Sequence, residues 1–206
     1  MESTKTRILK KLLETDGYLS GQELCEQLGV SRTAVWKYMK QLKEEGYEIE
    51  AVQNKGYCLK DVPDVLGESE IKSRLHTRWA GQTLYYYDEI DSTNTQIKRL
   101  AEEDAPHGTL AVADYQSRGK GRRGRAWDSP HGSAIYMSIL FRPEIRPDRA
   151  SMLTLVIGLS VTQAIRSNLG LQAQIKWPND VVLNGKKLVG ILTEMSAQMN
   201  YIEYLV

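Results

Sequence analysis

The spacing of apolar residues changes near residue 60, and this change constrains the fold of the 206-residue chain. Before it, apolar residues such as Ile8, Leu9 and Leu12 recur every three or four positions, which is typical of short amphipathic helices. Beyond it, short alternating runs and helical segments follow one another. The sequence therefore predicts an α+β protein, in which a small helical domain precedes a mixed α/β domain.

Three helical segments and a hairpin make up the first domain, residues 1–62. Gly29 and Gly46 follow the second and third helical patterns and are typical of helix ends. Two alternating runs, 47–52 and 56–59, then predict a β-hairpin. Three short helices followed by a hairpin is the order of a winged helix-turn-helix.

Residues 63–76 predict a linker with a short helix, and residues 77–206 predict the mixed α/β domain. Within the latter, a long helix is expected from about Ser151 to Asn168. Its apolar residues lie nearly all round, so we expect a central buried helix. Its longest apolar run, Leu153 to Val161, is broken by polar residues and is too short to span a membrane.

Composition places no strong limit on the partners. The net charge of +1 gives no global bias toward nucleic acid or membrane, so any basic function must be local. Cys25 and Cys58 stand alone, without metal-ligand spacing, and fit free thiols in a reducing cytoplasm. The polar N-terminus predicts no signal peptide.

Five cations and three glycines lie between Gln116 and Trp127, a segment that we call the basic loop. Clustered like charges repel and glycine costs entropy to order, so we expect the loop to be mobile until an anion binds. Its glycines match the pattern G-x-G-x-x-G, but a strand rather than a helix follows, which excludes a dinucleotide site. A solvated basic loop and a nucleic-acid-binding arm remain open.

Two further segments carry polar groups with an alternative structural explanation. Asp91-Ser-Thr-Asn94 is typical of a helix N-terminus, and Lys176-Trp-Pro-Asn-Asp180 of a turn. Lys187 alone fits an exposed strand lysine, whereas Gly190 would let a ligand approach its strand closely. Together with the basic loop, these segments predict a site for an anionic small molecule.

These segments, with Lys186-Lys-Leu-Val-Gly-Ile-Leu192, resemble the motif set of bacterial biotin–protein ligases. With a winged helix in front, the chain is similar to the bifunctional type, which is also the biotin-operon repressor. The resemblance covers almost all of the chain. It implies a class II synthetase-like sheet with helices, and a chain that stops before the family's C-terminal part.

The resemblance implies that biotin and MgATP form biotinyl-5′-adenylate, from which biotin passes to a lysine of the biotin carboxyl carrier protein. Lys187 and Arg122 would be the catalytic residues, without a covalent nucleophile, and no residue is assigned to Mg²⁺. The implied contacts to biotin and its adenylate are Ser92, Thr93, Asn94, Gln116, Gly119, Lys120, Gly121, Arg122, Trp127, Lys187 and Gly190.

Lys120 departs from the family pattern, in which arginine occupies this place in the loop. Lysine keeps the charge but loses the planar fork of arginine. If backbone N–H groups make the contact there, little changes; if the guanidinium makes it, affinity should fall.

The third helical pattern has the charge of a DNA-recognition helix, since the stretch from Val30 to Lys43 contains four cations and no acid. A winged helix used only for protein contacts is the alternative. The resemblance implies operator DNA, with the adenylate acting as corepressor by promoting a homodimer, in the cytoplasm and without a membrane. The expected DNA contacts are Ser31, Arg32 and Thr33 to bases, and Lys37, Lys40 and Lys55 to phosphates.

Two other functions remain open. One is a ligand-sensing transcription factor that binds biotin without ligating it. The other is a lipoate-type ligase with a related catalytic fold, against which the basic loop and the Lys176–Asp180 turn argue.

Overall fold

The computed structural model describes residues 3–206. They form two compact units, one ending at Arg78 and one running from Trp79 to Val206.

The first unit has the helices and the hairpin that the sequence predicts. Ser3, Ser20 and Ser31 each accept a backbone N–H at a helix start, and Ser20 with Glu23 completes a capping box. Gly29 ends the second helix in the left-handed conformation. The elements are α1 (Thr4–Glu14), α2 (Gly21–Leu28), α3 (Arg32–Glu44), β1 (Glu48–Val52), β2 (Gly56–Asp61) and α4 (Glu68–Arg74).

The core of the first unit consists of side chains that are shielded from solvent. One face each of α1, α2 and α3 packs inward, and β1 pairs antiparallel with β2 beside them. The side chains of Ile8, Leu24 and Leu42 are fully buried there. The winged helix-turn-helix arrangement is thus built from locally amphipathic helices.

Helix α4, which the sequence places with the linker, packs on α1 within the first unit. Thr6 Oγ1 donates to Ser69 Oγ at 3.5 Å, and Tyr47 Oη donates to Glu70 Oε2 at 2.6 Å. Burial and this bond to a carboxylate raise the pKa of Tyr47. The short helix is therefore the fourth helix of the first unit.

The second unit contains both strands and helices, as the sequence predicts, and five consecutive strands follow its long helix. Asn184 and Gly185 have φ of 50° and 76°, as expected for the central residues of a type I′ turn. Gly170 ends the long helix in the left-handed conformation. The elements are β3 (Leu84–Ile90), α5 (Thr93–Glu102), β4 (Leu110–Gln116), β5 (Tyr136–Ile139), α6 (Ala150–Leu169), β6 (Gln174–Lys176), β7 (Asp180–Leu183), β8 (Lys186–Gly190), β9 (Met195–Ala197) and β10 (Ile202–Leu205).

The strands of the second unit form three separate sheets. Strand β4 lies between β3, which is parallel to it, and β5, which is antiparallel. Strands β6, β7 and β8 form an antiparallel meander, and β9 pairs with β10. A core of Ile97, Leu100, Ala111 and Leu140 packs α5 against the first of these sheets.

Helix α6 is not the buried central helix that the sequence predicts. Its buried residues are Ala150, Gly158 and Thr162, whereas Val156 is 54% exposed. The expectation fails because α6 packs mainly on β6 and β7, while Ala150 and Leu153 near its start pack with Ile202 and Leu205 of β10. These contacts leave much of the helix surface uncovered.

Residues 147–169 are long and apolar enough to cross a membrane by length and composition, with a mean hydropathy of 1.2. They extend well beyond the apolar run that the sequence marks as too short for a span. Core helices of globular proteins pass the same test of length and composition, but they are mostly buried and α6 is not.

Candidate functional site

The basic loop is closed on itself by backbone hydrogen bonds. Gly121 N donates to Arg125 O at 2.7 Å, and Trp127 N donates to Gly119 O at 2.9 Å. The turn between them places Arg123 at a φ of 58°, where non-glycine residues are uncommon. The loop therefore projects its cations from a narrow hairpin-like base.

Two cations of this loop reach the other predicted site segments. Lys120 Nζ donates to Thr95 Oγ1 in the first turn of α5, at 3.0 Å. Arg122 Nη1 donates to Asn179 Oδ1 in the turn before β7, at 2.9 Å. Asn179 is itself fixed, since its Nδ2 donates to Ile191 O at 2.9 Å. The structure thus brings together the three segments that the sequence singles out.

Gly119 lies at the base of the loop where no side chain fits. A Cβ there would lie 2.3 Å from Trp127 O and 2.6 Å from Ser129 Oγ. Because real Cβ atoms do not approach backbone so closely, this position requires glycine.

A buried polar chain joins the start of α5 to the end of β4. Thr93 N and Oγ1 both donate to Gln116 Oε1, at 2.9 and 3.1 Å. Gln116 Nε2 donates to Ser129 Oγ at 3.0 Å, and Ser138 Oγ donates to Thr93 Oγ1 at 2.8 Å. These bonds fix the Gln116 amide and both of its neighbours in a single arrangement.

Ser92 is the N-cap of α5, and Asp91 before it pairs with Arg99 at 2.6 Å. The hydrogen bond from Arg99 lowers the pKa of Asp91 below its usual range. The Ser92 hydroxyl is buried and accepts the N–H of Thr95, so its structural role is visible directly.

Asn94 is held by groups far along the chain. Ser138 hydrogen-bonds its Oδ1, and its Nδ2 donates to Glu194 Oε2 at 3.0 Å. Glu194 also accepts from Lys98 Nζ at 2.6 Å. Burial acts to raise the pKa of Glu194, but the bonds from Lys98 and Asn94 outweigh it and lower the pKa. Glu194 therefore stays charged and orients the Asn94 amide.

Lys187 faces a carboxylate and an indole ring. Its Nζ lies 2.8 Å from Asp180 Oδ1 and 4.9 Å from the centre of the Trp127 ring. Asp180 Oδ1 is buried, so the ammonium group of Lys187 compensates its charge in this arrangement. The indole also fills the space in front of Gly190, where a Cβ would lie 2.7 Å from the ring.

A cavity of about 660 Å³ opens beside this assembly. The basic loop contributes Arg122 and Arg123 to its wall, and the turn before β7 contributes Trp177 and Asn179. Thr154 on α6 lines it from the other side, where its hydroxyl meets that of Thr193 at 2.6 Å. Two guanidinium groups beside apolar walls suit a ligand with an anionic group and a flat ring.

Several residues of this assembly do not stand out in the sequence: Lys98, Ser129, Ser138 and Glu194. Each is a common polar residue without a motif of its own. Ser138 lies in β5, and its inward orientation depends on the pairing of β5 with β4. Only an alternating pattern on β5 hints at that orientation.

In the first unit, the residues expected to contact bases are partly engaged already. Ser31 Oγ accepts the N–H of Ala34 at 3.2 Å as the cap of α3. Arg32 Nη2 donates to Gln22 Oε1 on α2 at 2.7 Å. Thr33 is exposed and makes no side-chain hydrogen bond among residues 3–206.

The lysines expected to contact phosphates are all exposed. Lys40 is 3.7 Å from Glu44, an exposed pair of little energetic value. Lys55 lies in the β1–β2 turn, with its Nζ 5.5 Å from the centre of the Tyr18 ring. These positions leave each ammonium group accessible to an anionic partner.

Comparison with known families assigns both units. Residues 86–204 match the model of the biotin/lipoate A/B protein ligase family, which is more than half of the chain. Residues 4–58 match the model of a helix-turn-helix domain.

Similar proteins are found in two species of Bacillus. The chain is 48% identical over 200 residues to the bifunctional ligase/repressor BirA of Bacillus spizizenii, and 47% identical to that of Bacillus subtilis. Each match covers 96% of this chain but 62% of the relative, so the chain spans under two thirds of these relatives.

Among solved structures, a biotin protein ligase from Leishmania major in complex with biotin is similar to the chain. The TM-score is 0.50 at 25% sequence identity, and the match covers 60% of this chain and 54% of that one.

Proposed function

Since the chain belongs to the biotin/lipoate A/B protein ligase family, we propose that its second unit activates biotin with ATP. The products of this step are biotinyl-5′-adenylate and pyrophosphate. A lysine amine of the biotin carboxyl carrier protein then forms an amide with biotin and releases AMP. The observation that carries this proposal is that Lys120 and Arg122 of the basic loop bond the first turn of α5 and the turn before β7. Lys187 pairs with Asp180 at the end of that turn, and Arg122 also lines the cavity.

The charge of this assembly suits the first step. A carboxylate must approach the α-phosphate of ATP, and these two anions repel each other. Fixed cations lower that barrier because they stabilise the charge that develops in the transition state. Arg122 and Lys187 are the groups that we assign to this role.

Lys187 must release Asp180 in order to act on the ligand. Its ammonium group now contacts both Asp180 and the face of Trp127. When Lys187 turns to a carboxylate or phosphate oxygen, it uncovers that face of the indole, on which an adenine ring can stack. One movement would then prepare both halves of the adenylate site.

The buried polar chain around Gln116 suits the neutral, polar head of biotin. Thr93, Gln116 and the Asn94 amide are held in fixed orientations by Ser138, Ser129 and Glu194. A fixed set of donors and acceptors binds a ring with defined hydrogen-bonding groups at low entropic cost. We assign Ser92, Thr93, Asn94 and Gln116 to this head group. Gly119 and Gly121 would let the backbone of the basic loop approach the ligand closely, and Gly190 leaves room for the Trp127 ring.

Mg²⁺ would accompany ATP through its phosphate oxygens. Among residues 3–206, no group of three or more His, Cys, Asp or Glu side chains is arranged to hold a metal ion. Because Mg²⁺ commonly binds through one or two carboxylates and the substrate phosphates, a dedicated cage is not required. We assign no protein ligand to it.

We further propose that the first unit binds operator DNA as part of a homodimer, with biotinyl-5′-adenylate as the corepressor. The helix-turn-helix match and the acid-free stretch from Val30 to Lys43 support this role. The free thiols of Cys25 and Cys58 suit the cytoplasm.

Exchange of labelled pyrophosphate into ATP tests the ligase proposal. We expect exchange that depends on biotin. Exchange with lipoate or octanoate but not with biotin would favour the lipoate-type alternative. Binding of biotin without any exchange would favour a ligand-sensing transcription factor.

A gel-shift experiment with genomic DNA fragments tests the repressor proposal. We expect binding to tighten when biotin and ATP are added together, and not with either alone. An unchanged shift would reject the adenylate as corepressor.

A further inference from the structure

Trp36 is exposed on α3 although it carries the largest apolar side chain of that helix. Its side chain is 61% exposed, whereas Val35, Met39 and Leu42 of the same helix are buried. Single exposed apolar residues are common on protein surfaces and need no explanation by themselves. The position of Trp36 and its neighbours make this one informative.

Trp36 belongs to a stripe along the solvent face of α3. Thr33, Trp36, Lys37 and Lys40 follow the i, i+3, i+4, i+7 spacing that places residues side by side on a helix. All four are exposed. We call these four residues the α3 stripe.

The charge of the α3 stripe favours an anionic partner. Lys37 makes no ion pair among residues 3–206, and Lys40 has only its exposed contact with Glu44. An indole lies between these ammonium groups and Thr33, so the partner must offer anionic and apolar groups at the same surface. The DNA major groove does so, because phosphates border it and each thymine projects a C5-methyl group into it.

The other candidates for base contact are less available. Ser31 caps α3, and Arg32 donates to Gln22 on α2. Of the side chains near the start of α3, Thr33 and Trp36 are the ones that remain free to face base edges. Trp36 offers far more apolar contact area than Thr33.

We propose that Trp36 determines the sequence specificity of this unit by packing its indole against a thymine C5-methyl group in the major groove. Lys37 and Lys40 bind phosphates, which every sequence offers, and so set affinity without selecting bases. This inference rests on the proposed DNA-binding function and names the residue that reads the sequence.

Selection from a library of randomised DNA duplexes tests the proposal. The whole chain, with biotin and ATP present, is compared with Trp36→Ala and with Val65→Ala. Val65 is the matched control, since it is a 50% exposed apolar residue of the same unit outside α3. We expect the wild-type protein and Val65→Ala to select the same sequence, and Trp36→Ala to lose the preference for thymine at one position of each half-site.

Replacing that thymine by uracil removes only the methyl group. We expect wild-type affinity to fall about fourfold, the effect of losing one buried methyl or methylene group, and that of Trp36→Ala to stay unchanged. Lys37→Ala should weaken binding to all duplexes alike and reduce the dependence on salt. The uracil measurement with wild-type protein needs no variant, so a folding defect cannot obscure it.

Each outcome has a defined meaning. A selected sequence without thymine, an unchanged preference in Trp36→Ala, or equal affinity for thymine and uracil would overturn the role of Trp36 and leave DNA binding intact. Failure of the wild-type protein to bind any duplex would instead overturn the DNA-binding proposal, and the role of Trp36 with it.

Discussion

The two units bury their apolar residues in different ways. In the first unit, short helices with one apolar face pack on each other, and Leu24 and Leu42 are fully buried. In the second unit, α6 is apolar nearly all round, and Leu155 and Leu159 remain 41% and 48% exposed. An amphipathic helix specifies which side packs, whereas a helix that is apolar all round requires covering layers on several sides.

The hydrogen bonds of polar side chains also differ between the two units in how far apart their partners lie in the chain. In the first unit, Ser20 and Ser31 cap helices within their own turn of chain. In the second, Asn94 and Lys98 bond Glu194, almost half the chain away. The first unit is therefore organised locally, and the site of the second depends on residues brought together by the fold.

The largest effect on stability is expected in the buried core of the first unit. Leu42→Ala should lower the free energy of unfolding by about 2–5 kcal/mol, because it leaves a cavity in a sealed core. Urea unfolding followed by circular dichroism measures it, with the neighbouring exposed Lys43→Ala as control. A loss below about 1 kcal/mol would mean that this core is not closed in solution.

A comparable effect on activity is expected in the second unit. Lys187→Ala should reduce biotin-dependent pyrophosphate exchange about 100-fold or more, as expected for losing a fixed group that stabilises transition-state charge. Lys186→Ala removes the same charge one position earlier in β8, on the opposite face of the strand, and should leave exchange nearly unchanged. Equal losses in both variants would reject a specific role for Lys187.

A smaller effect is expected from the long-range contacts of Glu194. Glu194→Gln should destabilise the chain by about 1 kcal/mol at neutral pH, since it weakens two hydrogen bonds at a partly exposed site. In a double-mutant cycle with Lys98→Met, the two effects should not add.

The difference in the free energy of unfolding between wild type and Glu194→Gln should decrease at acidic pH. The pKa of Glu194 is lowered in the folded protein, so its charge contributes stability above the unfolded pKa of about 4.3. That contribution is lost as the pH falls through the folded pKa. The gap between wild type and Glu194→Gln should therefore shrink below about pH 4.3; a gap that persists there would contradict the charged role.

The smallest effect is expected on the exposed side of α6. Leu159→Ala should change the free energy of unfolding by about 0.5 kcal/mol or less, as is usual at the surface. Leu140→Ala, at a fully buried position of the same unit, should cost about 2–5 kcal/mol. A loss at Leu159 as large as that at Leu140 would show that this side of α6 is covered in solution.

Local features of the fold could be predicted from the sequence because neighbouring residues determine them. The serine caps of α2 and α3, the left-handed Gly29 and the Asn184–Gly185 turn depend on a few consecutive residues. The exposure of α6 and the division of the strands into three sheets depend on which consecutive strands pair and which do not. Periodicity carries no information about that choice.

In the candidate site too, features set by neighbouring residues could be predicted, and those set by residues far apart in the chain could not. Its motif residues, such as Gln116 and Lys187, stand out because cations, glycines and tryptophan cluster around them. Ser138 and Glu194 have no such neighbours, and their roles arise only where β5 and the segment after β8 approach α5. The sequence thus indicates the proposed ligand contacts better than the residues that orient them.

The contact between Trp127 and Gly190 has a consequence for variation among related sequences. A Cβ at position 190 would lie 2.7 Å from the indole ring, so a side chain there requires the ring at 127 to shift or to be smaller. Substitutions at positions 127 and 190 are therefore expected to be correlated among related sequences, although the two positions lie far apart in the chain.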